Sequence, residues 1–311
     1  MSATIRSSRW AGFRSVLCPV DFSEYSRLAL QHAEAVALRA SAALTVVYAN
    51  DPLLVAAAAA ALHDRHIARR SAKELRAFVD ETLSAGTMKR LRVTCAVSIG
   101  DPRDEIVDIA RRRRSDLIVM GTHGLTGTDR LLMGSTTLRI LERTTIPVLA
   151  VPRTFQSGAG HALTEWPGRQ IVAAIELDRD SNRDAAVATA LAEWFGSSLL
   201  LLHVLRRLAA PAWMKGDSSA HDRIRVAEAE QRLDALADVA VRRVKTSAQV
   251  IWGDVADEIA ALAAAERIGL VTTALRDKQG WLGSRRGSIS YHVLTHAVTP
   301  VLAYPPTWQP R

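Results

Sequence analysis

The stretch DLIVMGTHGLTGTDRLLMGST, residues 116–136, joins an apolar run to a glycine-rich loop and then to a helical pattern. The chain has 17 glycines, and four of them fall within fourteen residues of this stretch: Gly121, Gly124, Gly127 and Gly134. A short run of Leu, Ile, Val and Met that stops at a glycine is typical of a buried strand ending in a turn. The stretch therefore predicts a strand, a loop and a helix in succession.

Strand and helix patterns alternate through the first half of the chain. The apolar runs that predict five strands are SVLCPVDFS, ALTVVYAN, RVTCAVSIG, SDLIVMG and PVLAVP, and helical patterns separate them. These runs are too uniformly apolar to have a wet face, which favours a parallel sheet covered on both sides. The predicted fold class is α/β, a doubly wound five-stranded parallel sheet of order 3-2-1-4-5. In that order the first and fourth strands are neighbours, and ligands bind beyond their carboxyl ends.

The two halves of the chain repeat the same phrases. GDPRDEIVDIA, which begins at Gly100, returns as GDVADEIAALA at Gly253, 153 residues later. TIPVLAVP ends at Pro152 and its counterpart VTPVLAYP ends at Pro305, at the same separation. Ordered recurrence at a fixed distance indicates a tandem duplication, so each copy is expected to form its own doubly wound sheet.

The segment between the copies, RTFQSGAGHALTEWPGRQ, is rich in Gly, Ser and Thr and has no periodicity. Such a composition is typical of a loop that connects two folded units. The sequence therefore predicts a linker at residues 154–168, between a first domain at 1–153 and a second domain at 169–311.

Composition indicates a soluble globular protein, with 48% hydrophobic and 23% charged residues among 311. No apolar run is long enough to span a membrane and the first residues have no apolar leader core, so we expect a cytoplasmic protein without a membrane partner. Cys18 and Cys95 lie in apolar strand patterns, which favours buried thiols over a disulfide. The net charge of +8 raises nucleic acid as a partner. We interpret the basic run Arg111–Arg114 as a solvated helix, with nucleic-acid binding as the less favoured alternative.

The glycines of the opening stretch have a physical use at the end of a strand. Without a Cβ atom, Gly121 and Gly124 allow backbone N–H groups to approach an anion closely. Gly134 and Ser135 stand at the predicted start of the next helix, where free N–H groups, the helix dipole and a hydroxyl favour a phosphate. Two such points predict a nucleoside di- or triphosphate ligand. The alternative, in which the glycines only shape a loop and Ser135 only caps a helix, stays open.

The spacing Gly121-x2-Gly124-x9-Gly134-Ser135 matches the ATP-binding motif of the universal stress protein family. The segment VLCPVDFSEYSRLAL, with Asp21, resembles the first strand and helix of that family, and PVLAVP resembles its last strand. The chain is thus identified by resemblance as a tandem universal stress protein, whose two copies would each have a Rossmann-like, adenine nucleotide alpha hydrolase-like fold. The resemblance implies that the first copy binds ATP, alone or with Mg²⁺.

The resemblance also implies which residues of the first copy surround the nucleotide. Those beside adenine and ribose would be Pro19, Val20, Asp21 and Ala49. Those along the ribose and the phosphates would be Met120, Gly121, Thr122, His123 and Gly124, and those holding the phosphates at the helix start would be Gly134, Ser135 and Thr136. A carboxylate suits a ribose hydroxyl or an adenine amino group, although Asp21 could instead serve the start of the following helix.

The second copy departs from this motif. Ala274 and Asp277 stand where the motif has its first two glycines, whereas Gly287 and Ser288 keep its end. An aspartate beside a polyphosphate is unfavourable, so we expect the first copy to bind ATP and the second to bind it weakly or not at all. The basic residues of the second loop, Arg276 among them, favour a solvated loop over a phosphate site built from side chains.

Patterns of catalytic residues are absent from the sequence. It has no Walker A lysine motif, no G-x-S-x-G elbow and no paired-cysteine zinc pattern. His63 and His66 have no evident further metal ligand and are interpreted as surface residues. No catalytic or metal-binding residue is therefore assigned, and slow ATP hydrolysis is the most that is expected. The leading hypothesis is an ATP-binding regulator or interaction module of a stress response, and the alternative is a nucleotide-independent interaction scaffold.

Universal stress domains often pair through their fifth strands, and PVLAVP and PVLAYP give each copy such a strand. The resemblance therefore implies a pseudo-dimer of the two copies within one chain. It leaves a homodimer open, together with a further protein partner that the sequence does not identify.

Overall fold

The computed structural model describes residues 10–62, 66–122, 133–153, 163, 166–206, 219–266, 268–276 and 289–310. In this part of the chain ten strands form one sheet, and helices cover both of its faces. Several residues singled out in the sequence lie outside the described part, namely His63, His123, Gly124, Gly127, Asp277, Gly287 and Ser288.

The first copy contributes five strands and six helices to the described structure. The strands are β1 (Ser15–Pro19), β2 (Ala43–Asn50), β3 (Val93–Ile99), β4 (Leu117–Gly121) and β5 (Val148–Val151). The helices are α1 (Glu24–Ala40), α2 (Pro52–Leu62), α3 (Ile67–Thr82), α4 (Ala85–Arg90), α5 (Pro102–Arg113) and α6 (Ser135–Arg143). Each of the five predicted strands is therefore present.

The second copy contributes five strands and four helices to the described structure. The strands are β6 (Gln170–Ala174), β7 (Ser198–Leu205), β8 (Thr246–Trp252), β9 (Leu270–Ala274) and β10 (Val301–Tyr304). The helices are α7 (Ser181–Phe195), α8 (Ser219–Ala240), α9 (Val255–Glu266) and α10 (Ile289–Thr295).

The strands follow the order β3-β2-β1-β4-β5-β10-β9-β6-β7-β8. In each copy the first strand lies at the centre with the fourth strand beside it, which is the arrangement 3-2-1-4-5. Neighbouring strands within a copy are parallel, as in β1 and β2, where Ser15 pairs with Ala43 and Pro19 with Val47. The predicted α/β, doubly wound fold class is confirmed, and the sheets of the two copies join into one.

Apolar side chains fill both faces of this sheet. On one face the core includes side chains from α1, α3, α7 and α8, such as Leu30 and Leu191. On the other face it includes side chains from α5, α6, α9 and α10, such as Ile140 and Ile259. Because helices cover both faces, the central strands have no wet side, which explains their uniformly apolar sequences.

The two copies meet along β5 and β10, which run antiparallel to each other. Leu302 lies opposite Leu149, and both strands are buried. The copies therefore pair through their fifth strands within one chain. Since β5 lies between β4 and β10, and β10 between β5 and β9, neither fifth strand keeps a free edge for a second chain.

Aromatic side chains tie the two copies together. The ring centroid of Phe13 lies 5.0 Å from that of Trp10 and 5.6 Å from that of Trp194, which belongs to α7. Gly12 has a φ of 97° and packs so closely on the Trp194 indole that a Cβ atom there would lie 2.3 Å from Nε1. A glycine is therefore required where the first copy approaches the second.

The last residues of the predicted linker belong to the packed core. Trp166 is buried, and its indole N–H donates a hydrogen bond to the Gly269 carbonyl at 2.7 Å. Its ring also packs edge-on against His32 of α1 and Phe195 of α7. Most of the other linker residues lie outside the described part, so the boundaries at 153 and 169 stay a prediction.

None of the described helices is long and apolar enough to cross a membrane. Both cysteines are free thiols, and burial raises the pKa of each. Cys18 is buried as expected, whereas Cys95 is half-buried because its strand, β3, lies at the edge of the described sheet. The basic run Arg111–Arg114 is exposed at the carboxyl end of α5, where the helix dipole favours positive charge. These exposed side chains agree with the interpretation of a solvated helix.

Candidate functional site

The carboxyl ends of β1 and β4 lie side by side in the first copy. β1 pairs with β4 on one side and with β2 on the other. Beyond the end of β1, the Val20 N–H donates a hydrogen bond to the Val47 carbonyl of β2 at 2.9 Å. The structure thus brings Pro19, Val20 and Asp21 to the same sheet edge as Ala49 of β2 and the end of β4.

Asp21 supports the turn that leads into α1. One carboxylate oxygen, Oδ1, accepts hydrogen bonds from the N–H and the hydroxyl of Ser23, at 3.1 and 2.5 Å. Ser23 is the N-cap residue of α1, because its hydroxyl accepts the Ser26 N–H at 3.2 Å. The capping role at this helix therefore belongs to Ser23, and the role of Asp21 as a nucleotide ligand stays a prediction.

Two aromatic residues beside Asp21 were not singled out in the sequence. Phe22 has a φ of 64°, a left-handed conformation that is costly for a bulky residue. Its ring packs against Tyr48, with centroids 4.5 Å apart, and against Phe78. Burial and the nearby Asp21 carboxylate both raise the pKa of Tyr48. The sequence does offer a signal for Phe22, because this aromatic residue directly follows Asp21 and precedes the capped start of α1.

The end of β4 and the start of α6 are held together by hydrogen bonds. The Thr122 N–H donates to the Val151 carbonyl at 3.0 Å, and the Gly134 N–H donates to the Thr122 carbonyl at 2.8 Å. The Thr137 hydroxyl donates to the Gly121 carbonyl at 2.9 Å. The two ends of the glycine loop therefore meet at one point, next to Met120 at the end of β4.

The start of α6 has no side chain at its cap position. Gly134 is its N-cap residue, whereas Ser23, Ser84 and Asp101 cap α1, α4 and α5 with side-chain oxygens. First-turn N–H groups that the N-cap residue leaves uncapped, together with the positive end of the helix dipole, form a site for an anion. Ser135 is exposed and Thr136 is half-buried in this first turn, so their hydroxyls are within reach of a ligand.

A cationic side chain that the sequence did not single out also lies at this edge. Arg153 follows β5 by two residues, and its guanidinium lies over the Tyr25 ring, 5.2 Å from the centroid. Tyr25 belongs to the first turn of α1, just beyond Asp21 and Ser23. The aromatic face therefore holds a positive charge near the ends of β4 and β5.

The corresponding edge of the second copy has a different chemistry. Glu176 takes the position of Asp21, and Ala274 ends β9 as Gly121 ends β4. Two residues further, Arg276 extends into a group of four carboxylates. Its guanidinium nitrogens lie 3.4 Å from Glu176, 3.4 Å from Asp178, 3.6 Å from Asp180 and 2.9 Å from Asp184.

The interpretation of Arg276 as part of a solvated basic loop is therefore wrong. Its side chain is 19% exposed and is enclosed by acidic groups. The carboxylates come from the end of β6 and the start of α7, which are remote from Arg276 in sequence but adjacent to β9 in the sheet. Burial raises the pKa of Glu176 and Asp184 in spite of the neighbouring guanidinium.

The described residues contain no group of three or more side chains that could hold a metal ion. His66 is exposed and precedes α3, as expected for a surface histidine. Of the other residues considered for chemistry at the site, His123 and Gly124 lie outside the described part.

The family model of the universal stress proteins matches residues 12–152 and again residues 168–305. This chain therefore belongs to the universal stress protein family and carries two tandem copies of its domain. A universal stress protein of Methanocaldococcus jannaschii is 28% identical to it over 141 residues, which are 45% of this chain and 83% of the relative.

A solved structure shares the fold over nearly the whole chain. A universal stress protein from Archaeoglobus fulgidus covers 95% of this chain and 97% of its own length, with 17% identity and a TM-score of 0.65. A universal stress protein solved in complex with cAMP covers 45% of this chain and 98% of its own length, with 23% identity and a TM-score of 0.34.

Proposed function

We propose that the first copy binds ATP at the carboxyl edge of β1 and β4, and that the protein is a nucleotide-dependent regulator or interaction module of a stress response. The observation that carries this function is the glycine start of α6, joined to the end of β4 by the 2.8 Å hydrogen bond from Gly134 to Thr122. This glycine gives the helix N–H groups no cap from its own side chain, at the point where a doubly wound sheet binds its ligands.

The proposed contacts follow the nucleotide from base to phosphates. Adenine and ribose would be flanked by Pro19, Val20, Asp21 and Ala49. The ribose and phosphates would lie along Met120, Gly121, Thr122, His123 and Gly124, and the phosphates would end on Gly134, Ser135 and Thr136. Mg²⁺ would arrive bound to the phosphates and keep most of its water ligands, since it is seldom held by protein groups alone.

Calorimetry with ATP tests this function. We expect one ATP per chain, and we expect Ser135→Ala to weaken binding about tenfold through the loss of one hydroxyl donor to a phosphate. Ser288→Ala is the matched control, because it makes the same change at the corresponding position of the second copy and should leave the affinity unchanged.

Two outcomes would contradict the proposed function. Two equivalent ATP sites per chain would show that the second copy also binds the nucleotide. The absence of ATP binding, in a protein that also carries no nucleotide after purification, would favour the nucleotide-independent scaffold instead.

A further inference from the structure

Arg276 corresponds in sequence to a position in the glycine loop of the first copy. β9 ends at Ala274, and Arg276 follows it by two residues, at the sequence position that corresponds to His123. β9 pairs with β6, beyond whose end lies Glu176, the counterpart of Asp21. The ion pair of Arg276 with Glu176, at 3.4 Å, therefore connects the carboxyl ends of β9 and β6, the fourth and first strands of the second copy.

A buried carboxylate on α7 is part of the same arrangement. Asp184 is 1% exposed, and its counterpart in α1 of the first copy is the fully buried Ala29. One oxygen of Asp184 lies 2.9 Å from Arg276, and the other accepts hydrogen bonds from Arg183, the shorter at 2.8 Å. A buried carboxylate needs such cationic partners, because its desolvation is otherwise uncompensated. The second copy thus has a carboxylate on α7 that pairs with Arg276.

The charges at this edge disfavour an anionic ligand. Arg276 and Arg183 face four carboxylates, those of Glu176, Asp178, Asp180 and Asp184. The exposed Arg179 adds a distant contact to Asp180 at 3.9 Å, and the buried hydroxyl of Tyr304 lies near Asp184. A polyphosphate would bring further negative charge to a group in which acidic side chains already outnumber the basic ones.

We propose that the Arg276 side chain is an internal substitute for a ligand: it occupies the nucleotide edge of the second copy, is bound there by four carboxylates, and excludes adenine nucleotides. The location of that edge rests on the function proposed for the first copy. At the position of the nucleotide edge, the second copy therefore has an internal cross-link made of ion pairs, which connects β9 to β6 and α7.

Chemical rescue tests whether the Arg276 side chain occupies the nucleotide edge of the second copy. In the full chain, Arg276→Ala should lower the thermal midpoint by about 5 °C or more, since it removes a guanidinium that four carboxylates share and leaves the buried Asp184 with Arg183 alone of its two cationic partners. Added ethylguanidinium should restore most of that shift at a concentration that leaves the wild type unchanged, whereas tetramethylammonium should not. The matched control is Arg225→Ala, which removes an arginine of similar exposure that pairs with one carboxylate, that of Asp222 at 3.4 Å. Failure of ethylguanidinium to restore the midpoint, or equal restoration of the control, would overturn the assignment.

A second variant, Arg276→Gln, keeps the test decisive if Arg276→Ala does not fold, because it removes the charge and retains most of the side-chain volume. Asp184→Ala should destabilise the wild type more than it destabilises the Arg276→Gln protein, because in that protein Asp184 has already lost Arg276 and keeps only its contact with Arg183 among these two partners. If Asp184→Ala destabilises both backgrounds equally, the two residues do not act as a pair and the internal substitute is ruled out.

Photolabelling with 8-azido-ATP tests the exclusion of nucleotides. Peptides of the first copy should be labelled, and those that contain Glu176 or Arg276 should not. Labelling of both copies would overturn the exclusion. Absence of label from both, together with rescue by ethylguanidinium, would support the internal cross-link and reject the function proposed for the first copy.

Discussion

Arg153 is the residue at which the candidate nucleotide site gains a positive charge. It extends from the end of β5 and rests on the ring of Tyr25 in α1. A guanidinium can reach phosphate oxygens with charge-assisted hydrogen bonds, but it has no comparable attraction for a neutral nucleoside.

We therefore expect Arg153→Gln to weaken ATP binding by about threefold to tenfold and to leave adenosine binding unchanged. Calorimetric titrations with both ligands measure the difference. Arg143→Gln is the control, since Arg143 lies at the carboxyl end of α6, away from the candidate site, and pairs with Asp104 of α5. Equal losses for ATP and adenosine would mean that Arg153 shapes the site without contacting phosphates.

The sequence was informative about some residues of the two sheet edges and uninformative about others. The places of Gly121 at the end of β4 and of Gly134 at the start of α6 were predictable, because strand, loop and helix follow one another locally in the sequence. Their role in binding an anion stays a prediction. The place of Arg276 was not predictable, because its partners lie about a hundred residues earlier in the chain and become neighbours through the pairing of β6 with β9. A loop arginine beside acidic residues of another strand has no periodicity that distinguishes it from a solvated one.

Among the elements, α1 carries a buried histidine that responds to pH. His32 is fully buried, its Nδ1 lies 2.8 Å from the Leu28 carbonyl, and its ring packs edge-on against Trp166. Burial lowers the pKa of His32 from 6.5 to about 4. The unfolded chain therefore binds a proton between these two values more readily than the folded protein does, and stability falls as the pH falls through that window.

The wild type should lose about 3 kcal/mol more unfolding free energy than His32→Gln when the pH is lowered from about 7 to about 4. Chemical denaturation at the two pH values gives this difference. His221→Gln, a change at an exposed histidine of α8, should behave as the wild type does. A pH dependence that is the same in all three proteins would contradict the buried, neutral His32.

The elements differ in how far their sequences determined them. The buried strands were predictable because parallel strands covered on both faces must be apolar throughout. The role of Trp166 was not, because it follows a stretch with the composition of a loop, and its hydrogen bond to Gly269 depends on tertiary packing. Likewise the sequence of β3 did not reveal that this strand lies at the edge of the described sheet, which is why Cys95 is less buried than expected.

For the whole molecule, the pairing of β5 with β10 makes the two copies a single folded unit. Leu302 is 2% exposed at this junction, opposite Leu149. A carboxylate placed there would be buried without a cation, and we expect Leu302→Asp to lower the free energy of unfolding by about 4 kcal/mol.

Denaturant titration monitored by tryptophan fluorescence measures this change. Val298→Asp is the matched control, because Val298 precedes β10 and is 37% exposed, and it should change stability by less than about 0.5 kcal/mol. We also expect one transition for the wild type, since Trp10 and Trp194 join the first copy to the second. Two separate transitions, with Leu302→Asp affecting neither, would indicate that the copies unfold independently.

The antiparallel pairing of β5 with β10 sets the orientation of the two copies relative to each other. All strands of the first copy run one way and all strands of the second run the other, because the sole reversal in the described sheet is at β5 and β10. The carboxyl edge with the glycine loop and the carboxyl edge with Arg276 therefore face opposite ends of the sheet. If the first copy alone binds ATP, as proposed, a protein that contacts the bound nucleotide would have to approach the carboxyl edge of β1 and β4 rather than the opposite end of the sheet.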